Sequence, residues 1–319
     1  MEYLKELKST IQEKLPELDL VIGWKQGFDP VHASPCFMRI PEEVEQLVVT
    51  PLCVQNLATY LPGLKGKKVG IVARECDTRS IGELLQESLI DREQITVFSV
   101  KCPGAIDLVK FRQQVGNLGL VTAVDFDGPT LKVQTQEDSV SLNLDDLLPA
   151  KCLSMAYAEP VLADFRFADP NQPTVCREAG DRDLEALEGM SLDERFAYWQ
   201  GHLDRCVRCY ACRNVCPMCV CQDQCIAETR DPHWLTAETD VQQKWMFQLI
   251  HAMHLAGRCT ECGECERACP MNIPILTIRR KLNREIEELF GYTSGMDVDA
   301  VPPLLTFQPE EKTISEREW

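Results

Sequence analysis

The C-terminal third of the chain contains the stretch Cys206-Val-Arg-Cys209-Tyr-Ala-Cys212-Arg-Asn-Val-Cys216-Pro217, which has the pattern C-x-x-C-x-x-C-x-x-x-C-P. The stretch Cys259-Thr-Glu-Cys262-Gly-Glu-Cys265-Glu-Arg-Ala-Cys269-Pro270 repeats this pattern, with 42 residues between Cys216 and Cys259. Three thiolates separated by pairs of residues on a tight turn reach three corners of one Fe4S4 cube. In two-cluster ferredoxins the fourth cysteine of such a run ligates the other cluster. The two runs therefore predict two 4Fe–4S clusters and a ferredoxin-like fold around them.

Crossed ligation gives each cube three cysteines from one run and one from the other. The first predicted ligand set is Cys206, Cys209, Cys212 and Cys269, and the second is Cys259, Cys262, Cys265 and Cys216. Structural zinc is the alternative, but zinc sites usually take four ligands as two pairs separated by a longer loop. Two evenly spaced runs, each ending in Cys-Pro, favour iron–sulfur clusters over zinc.

Three further cysteines follow the first run within seven residues, namely Cys219, Cys221 and Cys225. Their closeness leaves open a third 4Fe–4S cluster, which would need at least one more thiolate from elsewhere in the chain. The N-terminal candidates for that ligand are Cys36, Cys53, Cys76 and Cys102. Because the carboxyl ends of parallel strands form the ligand crevice of an open sheet, the stronger candidates are those near predicted strand ends. These are Cys53, Cys76 and Cys102.

The composition restricts the cellular compartment and the kinds of binding partner that we expect for this chain. The chain has 17 cysteines, an odd number, and a formal net charge of −17. Its charged N-terminus lacks the apolar core of a signal peptide, and no window of about 18 apolar residues predicts a transmembrane helix. Since disulfide frameworks belong to secreted proteins, we expect a cytoplasmic protein with free or metal-bound thiols. The acidic balance argues against a nucleic-acid partner.

The remainder of the chain predicts an α/β domain in front of the cluster domain. Residues 68–73 and 95–100 have the pattern of buried strands, and residues 78–88 between them have helical spacing, which favours a mostly parallel sheet with flanking helices. Weaker patterns predict a strand at 46–50, a helix at 54–61 and a hairpin at 121–134. We expect an α/β domain at 1–158, a linker with a helix at 159–200, an α-helical two-cluster ferredoxin domain at 201–295 and an extended tail at 296–319.

The N-terminal domain also carries a family resemblance. The segment Val69-Gly-Ile-Val-Ala-Arg-Glu-Cys76-Asp77-Thr-Arg79-Ser is followed by Ser99-Val-Lys-Cys102-Pro-Gly104. This pair resembles the strand–Pro-Cys-Asp–helix segment in the beta subunits of deazaflavin-reducing hydrogenases and formate dehydrogenases, with Glu75 in place of the usual proline. Related domains occur in beta subunits of sulfhydrogenases and anaerobic sulfite reductases. The cluster domain is similar to the α-helical ferredoxin domains of heterodisulfide reductase subunits.

The resemblance implies an electron-transfer subunit of a multi-subunit anaerobic oxidoreductase. Such a subunit relays electrons between a hydrogenase- or formate dehydrogenase-type catalytic subunit and a flavin or heterodisulfide-reductase-like subunit, and has no catalytic residue of its own. The alternative is a self-sufficient flavin-dependent iron–sulfur oxidoreductase, since some relatives bind flavin on this domain. The sequence has no G-x-G-x-x-G fingerprint, so a flavin is expected by analogy alone.

Overall fold

The computed structural model describes most of both halves of the chain. The described residues are 2–102, 104–154, 159–169, 180–221, 225, 227, 235–236 and 238–307. Cys176 and the part of the predicted tail beyond Phe307 lie outside the described residues.

Among the described residues, the strands lie between Leu20 and Phe167. They are β1 (Leu20–Gln26), β2 (Ala33–Met38), β3 (Val69–Arg74), β4 (Ile95–Val100), β5 (Val121–Asp127), β6 (Thr130–Thr135), β7 (Ser139–Asn143) and β8 (Phe165–Phe167). Five of them form one sheet in the order β2-β1-β3-β4-β8, and β5, β6 and β7 form a separate antiparallel sheet. In the larger sheet, β3 pairs in parallel with β1 and β4, and β8 pairs in parallel with β4. Only β2 runs antiparallel, so the mostly parallel sheet expected from the sequence is confirmed.

The helices flank this sheet and then build the C-terminal half. They are α1 (Glu2–Lys14), α2 (Pro41–Val44), α3 (Thr78–Gln86), α4 (Leu108–Val115), α5 (Ala150–Ser154), α6 (Arg182–Glu188), α7 (Leu192–Asp204), α8 (Ala211–Asn214), α9 (Val241–Met253), α10 (Glu264–Arg267) and α11 (Ile275–Phe290). The predicted α/β and helical halves are therefore both present. Among the described residues, none of these helices is long and apolar enough to cross a bilayer.

The burial of β3 and β4 explains why both strands could be predicted from the sequence. Every residue of β3 is buried, because helices and loops cover both faces of a parallel strand. Such a strand is a continuous apolar run, as the predicted segments 68–73 and 95–100 are. Helices α7 and α9 begin directly after capping residues, since the side chains of Ser191 and Asp240 accept backbone N–H bonds at their first turns.

Several elements of the structure differ from those predicted from the sequence. The strand expected at 46–50 is wrong, since Leu47 forms only an isolated bridge with Lys25. The helix expected at 54–61 is a short 3-10 turn, Leu57–Tyr60, capped by Asn56. Strands β2 and β7 were not predicted, and the expected linker supplies β8. Whether these segments form strands is decided by distant pairing partners rather than by local pattern.

The second cysteine run packs directly on the sheet domain. Ser80 of α3 hydrogen-bonds Thr260 through their hydroxyl groups at 2.7 Å. Arg79 donates to the carbonyl oxygen of Ser294 at 2.9 Å, and Gly295 follows with a φ of +68°. A Cβ atom at Gly295 would lie 2.2 Å from the carbonyl oxygen of Arg79, so only glycine allows this close approach. The two halves are therefore held together at the segment that carries Cys259, Cys262 and Cys265.

Candidate metal centres

The two cysteine runs have the same unusual backbone. In the first run Arg208 and Tyr210 have φ values of 50° and 60°, and in the second run Glu261 and Gly263 have 56° and 73°. These are the third and fifth positions of each C-x-x-C-x-x-C segment. Residues other than glycine rarely adopt this left-handed backbone conformation, which costs about 1–2 kcal/mol per residue. The repeated cost indicates that both loops are shaped for one purpose, the convergence of their cysteines.

The first predicted ligand set lines a single small cavity. Its four cysteines are Cys206, Cys209, Cys212 and Cys269, and the apolar wall includes Phe247 and Ile273. The backbone N–H of Arg208 donates to Sγ of Cys206 at 3.4 Å. Cys209 is exposed, whereas Cys206 and Cys212 are buried. The cavity thus lies near the surface, and its fourth cysteine comes from the other run.

The second predicted set is also brought together. Sγ of Cys265 lies within electrostatic range of Cys259, Cys262 and Cys216. Backbone N–H groups hydrogen-bond the thiols of Cys259 and Cys262 from two residues further along the chain. Iron ligation by either set stays a prediction, but the fourth cysteine is in both cases the one that crossed ligation requires. Among the described residues, no three His, Cys, Asp or Glu side chains form a site for a single metal ion.

Burial controls the ionisation of these thiols. It raises the pKa of Cys212 and of Cys262 to about 11, and that of Cys259 to about 12. Protein surroundings alone would therefore keep the three thiols protonated at neutral pH. Iron binds the thiolate form, so cluster assembly at these positions must displace protons.

A buried arginine lies between the two sets. Arg279 of α11 is 1% exposed, and its charge partly offsets the burial that raises the pKa of Cys212 on one side and of Cys259 and Cys265 on the other. Its Nη2 donates to Nδ1 of His251 at 2.7 Å, while Nε and Nη1 have no hydrogen-bond partner in the described part of the chain. A buried cation without a counter-charge costs several kcal/mol. Anionic iron–sulfur clusters in the adjacent sites would supply both the charge and the missing acceptors, so the residues present fit them.

The thiols considered for a third cluster fall into separate places. Cys219 lies close to Cys221 and Cys225, and these three line a second cavity together with His251. Of the N-terminal candidates, the Cys76 thiol hydrogen-bonds Cys102 at the carboxyl edge of the sheet.

The other N-terminal candidates are core residues. Cys53 is 1% exposed, and its thiol donates to the carbonyl oxygen of Val48 at 3.6 Å. Cys36 is buried on β2 opposite Gly23. The described contacts therefore do not bring Cys219 together with Cys53, Cys76 or Cys102.

Charged side chains near the thiols were not all anticipated. Nζ of Lys151 donates to the carbonyl oxygen of Cys262 at 2.9 Å, and its stem packs against Gly263. Arg208 donates to the carbonyl oxygens of Thr236 and Glu238 and so braces its loop. Sequence reasoning missed Arg279 and Lys151, because nothing in a charged helix marks which cation becomes buried at a site.

Comparisons with known proteins agree with this organisation. Residues 202–273 match the model of a family described as a 4Fe-4S dicluster domain. The chain is 22% identical to the F420-dependent formate dehydrogenase subunit beta of Methanocaldococcus jannaschii, covering 94% of this chain and 93% of that protein. It is 24% identical to the F420-dependent formate dehydrogenase 1 subunit beta of Methanococcus maripaludis, over 90% and 89%. A chain of the F420-reducing NiFe hydrogenase complex from Methanosarcina barkeri superimposes with a TM-score of 0.41 and 16% identity, covering 55% of this chain and 68% of that one.

The helical half with its dicluster motif makes this chain an iron–sulfur electron-transfer subunit of the oxidoreductase class. Over both of its halves the chain is similar to the beta subunits of F420-dependent formate dehydrogenases, and this similarity supports the resemblance stated from the sequence.

Proposed function

We propose that the chain relays single electrons between two partner subunits of an anaerobic oxidoreductase complex through two 4Fe–4S clusters. Cys206, Cys209, Cys212 and Cys269 hold the first, and Cys259, Cys262, Cys265 and Cys216 hold the second. The observation that supports this assignment is the packing of each crossed set of four thiols at one place, with Arg279 buried between them. No bond chemistry on this chain is needed for such a relay.

The surroundings of the two sets suggest the two ends of the relay. Cys209 of the first set is exposed, and so are apolar side chains on α7, on α9 and at Val207, two residues before Cys209. These apolar side chains, which we call the α7–α9 patch, are Leu192, Phe196, Val207, Met246, Leu249 and Met253. An apolar patch of this kind on a surface marks a protein–protein contact. We propose that a catalytic subunit of formate dehydrogenase or hydrogenase type docks here, next to the first cluster.

The second set faces the other half of the chain. Thr260 and Cys262 contact α3 and Lys151 of the sheet domain. We propose that electrons leave the second cluster through this domain towards a flavin or a heterodisulfide-reductase-like subunit.

The domain boundaries follow the proposed roles, with a sheet domain at 1–158, a connecting segment at 159–200, a cluster domain at 201–295 and a tail at 296–319. Sixteen free cysteines among the described residues support a reducing compartment such as the cytoplasm.

One cavity favours the alternative of a self-sufficient flavoenzyme. It lies between the sheet domain and the second run, where Lys151, Gly263 and Arg267 meet apolar side chains such as Leu108 and Leu276. A concave, mainly apolar site with a few cations is typical of cofactor binding. Flavin absorption in the anaerobically purified chain, released on denaturation, would support this alternative. A chain with iron and sulfide but no flavin supports the simple relay.

The relay is tested by the crossed ligation. Anaerobically prepared protein should contain roughly eight irons and eight sulfides per chain for two cubes. Cys269→Ser should disturb the same paramagnetic resonance signal as Cys206→Ser, and Cys216→Ser the same signal as Cys259→Ser. Cys36→Ser, in a core strand, is the control and should change neither signal. If Cys269→Ser affects only the signal lost in Cys259→Ser, the ligand sets are wrong; if the protein lacks iron, the relay itself is wrong.

A further inference from the structure

A second cavity beside the proposed clusters is lined by three cysteines that the two predicted ligand sets do not use. They are Cys219, Cys221 and Cys225. Cys225 is buried, Cys219 is half-buried and Cys221 is exposed. The backbone N–H of Cys219 donates to the carbonyl oxygen of Cys216 at 3.2 Å, so the cavity begins one turn after a proposed ligand of the second cluster. Three thiols that share one cavity are more than core packing requires.

His251 lines the same cavity and is 3% exposed. Nη2 of Arg279 contacts Nδ1 of His251 at 2.7 Å. A guanidinium group can only donate, so Nδ1 must accept. Burial, reinforced by Arg279, holds the pKa of His251 well below its usual range, so the ring is neutral. A neutral ring with an accepting Nδ1 carries its proton on Nε2.

This buried Nε2–H has no hydrogen-bond partner in the described part of the chain. An unpaired buried N–H costs about 1–3 kcal/mol, which an acceptor in the cavity would recover. Two cations also lie beside the thiols, since Arg213 lines the cavity with them and Arg279 contacts His251, which lines it too. The cavity therefore combines three thiols, a positive surrounding and one N–H donor, a combination that matches an anionic occupant.

The tautomer of His251 distinguishes between two metal occupants. A tetrahedral zinc site with three cysteines and one histidine needs a lone pair on the histidine nitrogen that faces the metal. Here the lone pair is on Nδ1, where Arg279 uses it, and Nε2 has a proton. An N–H group does not ligate zinc, but it donates well to the sulfur atoms of an iron–sulfur cluster. Hydrogen bonds of this type raise the reduction potential of the cluster.

We propose that Cys219, Cys221 and Cys225 hold three irons of a third iron–sulfur cluster in this cavity, and that Nε2–H of His251 donates to one of its sulfur atoms. No fourth cysteine lines the cavity in the part of the chain that the structure describes, so the fourth iron would take a ligand other than a thiolate on the side where Met253 and His254 are exposed. This inference rests on the proposed relay, because the cluster would exchange one electron with the second cluster through Cys216. No bond is made or broken in that transfer.

The iron content tests the proposal. The chain reconstituted with iron and sulfide under anaerobic conditions should contain roughly twelve irons, four for each of three cubes. The triple variant Cys219→Ser, Cys221→Ser, Cys225→Ser should contain roughly eight and keep the signals of the two ferredoxin-type clusters. The control Cys36→Ser should keep all of the iron. Circular dichroism of each variant shows whether the fold is retained.

Each outcome separates this proposal from the relay. If the parent chain and the triple variant both contain roughly eight irons, the third cluster is refuted and the relay stands. If the cavity takes up stoichiometric zinc and no third iron–sulfur signal is found, the third cluster is refuted as well. If the parent chain contains little iron, the relay itself fails.

The role of His251 has its own test, a redox titration followed by paramagnetic resonance. His251→Leu removes the N–H donor and should lower the midpoint potential of the third cluster. His251→Gln keeps an N–H donor and should restore much of the potential. Equal potentials in all three proteins would refute the hydrogen bond, even with the third cluster present. His254→Leu, at the exposed mouth, is the matched control for loss of a neighbouring imidazole.

Discussion

Replacement of Arg279 tests whether anionic clusters occupy both predicted sites. The side chain is buried and lies between the two ligand sets, with two nitrogens that lack partners among the described residues. Arg279→Gln removes its charge but keeps an amide that can still donate hydrogen bonds. A positive charge favours the reduced, more negative state of each cluster, so its loss should lower both reduction potentials.

The size of the shift follows from Coulomb's law. A unit charge that acts over about 8 Å, at an effective dielectric constant of about 20, contributes about 2 kcal/mol. For a one-electron couple this equals about 90 mV. We expect a decrease of this order for both clusters in Arg279→Gln, and a much smaller one in Arg279→Lys, which keeps the charge. A redox titration followed by paramagnetic resonance measures both potentials.

The matched control lies on the same helix. Arg284 is also on α11, but it pairs with Asp181 and Glu188 on the outer side. Arg284→Gln should therefore leave both potentials unchanged. If Arg279→Gln retains its iron and its potentials equal those of the parent chain, then Arg279 does not act on the clusters and the electrostatic reasoning is refuted. A shift confined to one cluster would place the other away from this arginine.

Three further predictions concern stability and assembly. Burial and the nearby Glu87 raise the pKa of Glu83 to about 7, above its usual 4.5, so its protonated form favours the fold. This contribution to stability is complete below pH 4.5 and is lost as the pH rises through about 7. Glu83→Gln should abolish that pH dependence and stabilise the protein at pH 8 by up to about 3 kcal/mol, as measured by denaturant unfolding. Parallel curves of stability against pH for the parent chain and the variant would refute this prediction. Gly295→Ala should destabilise the protein by about 2–4 kcal/mol, because the added Cβ would clash with the carbonyl oxygen of Arg79. Gly291 has a similar φ of +62° but open space around it, so Gly291→Ala should cost only about 1 kcal/mol. Equal losses of unfolding free energy in the two variants would contradict the close-approach argument. Leu249→Glu in the α7–α9 patch should weaken co-purification of the catalytic subunit at unchanged iron content. Phe28→Glu, which is also exposed but lies on the sheet domain, should not, and the same loss in both variants would argue against this docking surface.

The sequence by itself determined the parts whose physics is local. Cysteine spacing is a local property, because three thiols on one tight turn reach one cube whatever surrounds them. The continuous apolar runs of β3 and β4 and the capped starts of α7 and α9 are local in the same sense. The family resemblance came from two short segments at the ends of β3 and β4, and the comparisons support it.

Tertiary structure alone decided which distant groups meet. Strands β2 and β8 exist because of their partners in the sheet, whereas 46–50 is no strand because it meets β1 only at the isolated bridge between Leu47 and Lys25. The positions of Cys219 and Cys76 in different sites could not be read from spacing, since they depend on how the two halves dock. The burial of Arg279 and the free Nε2–H of His251 have the same origin. Desolvation, which gives both groups their chemical significance, is a property of the packed molecule and not of any segment.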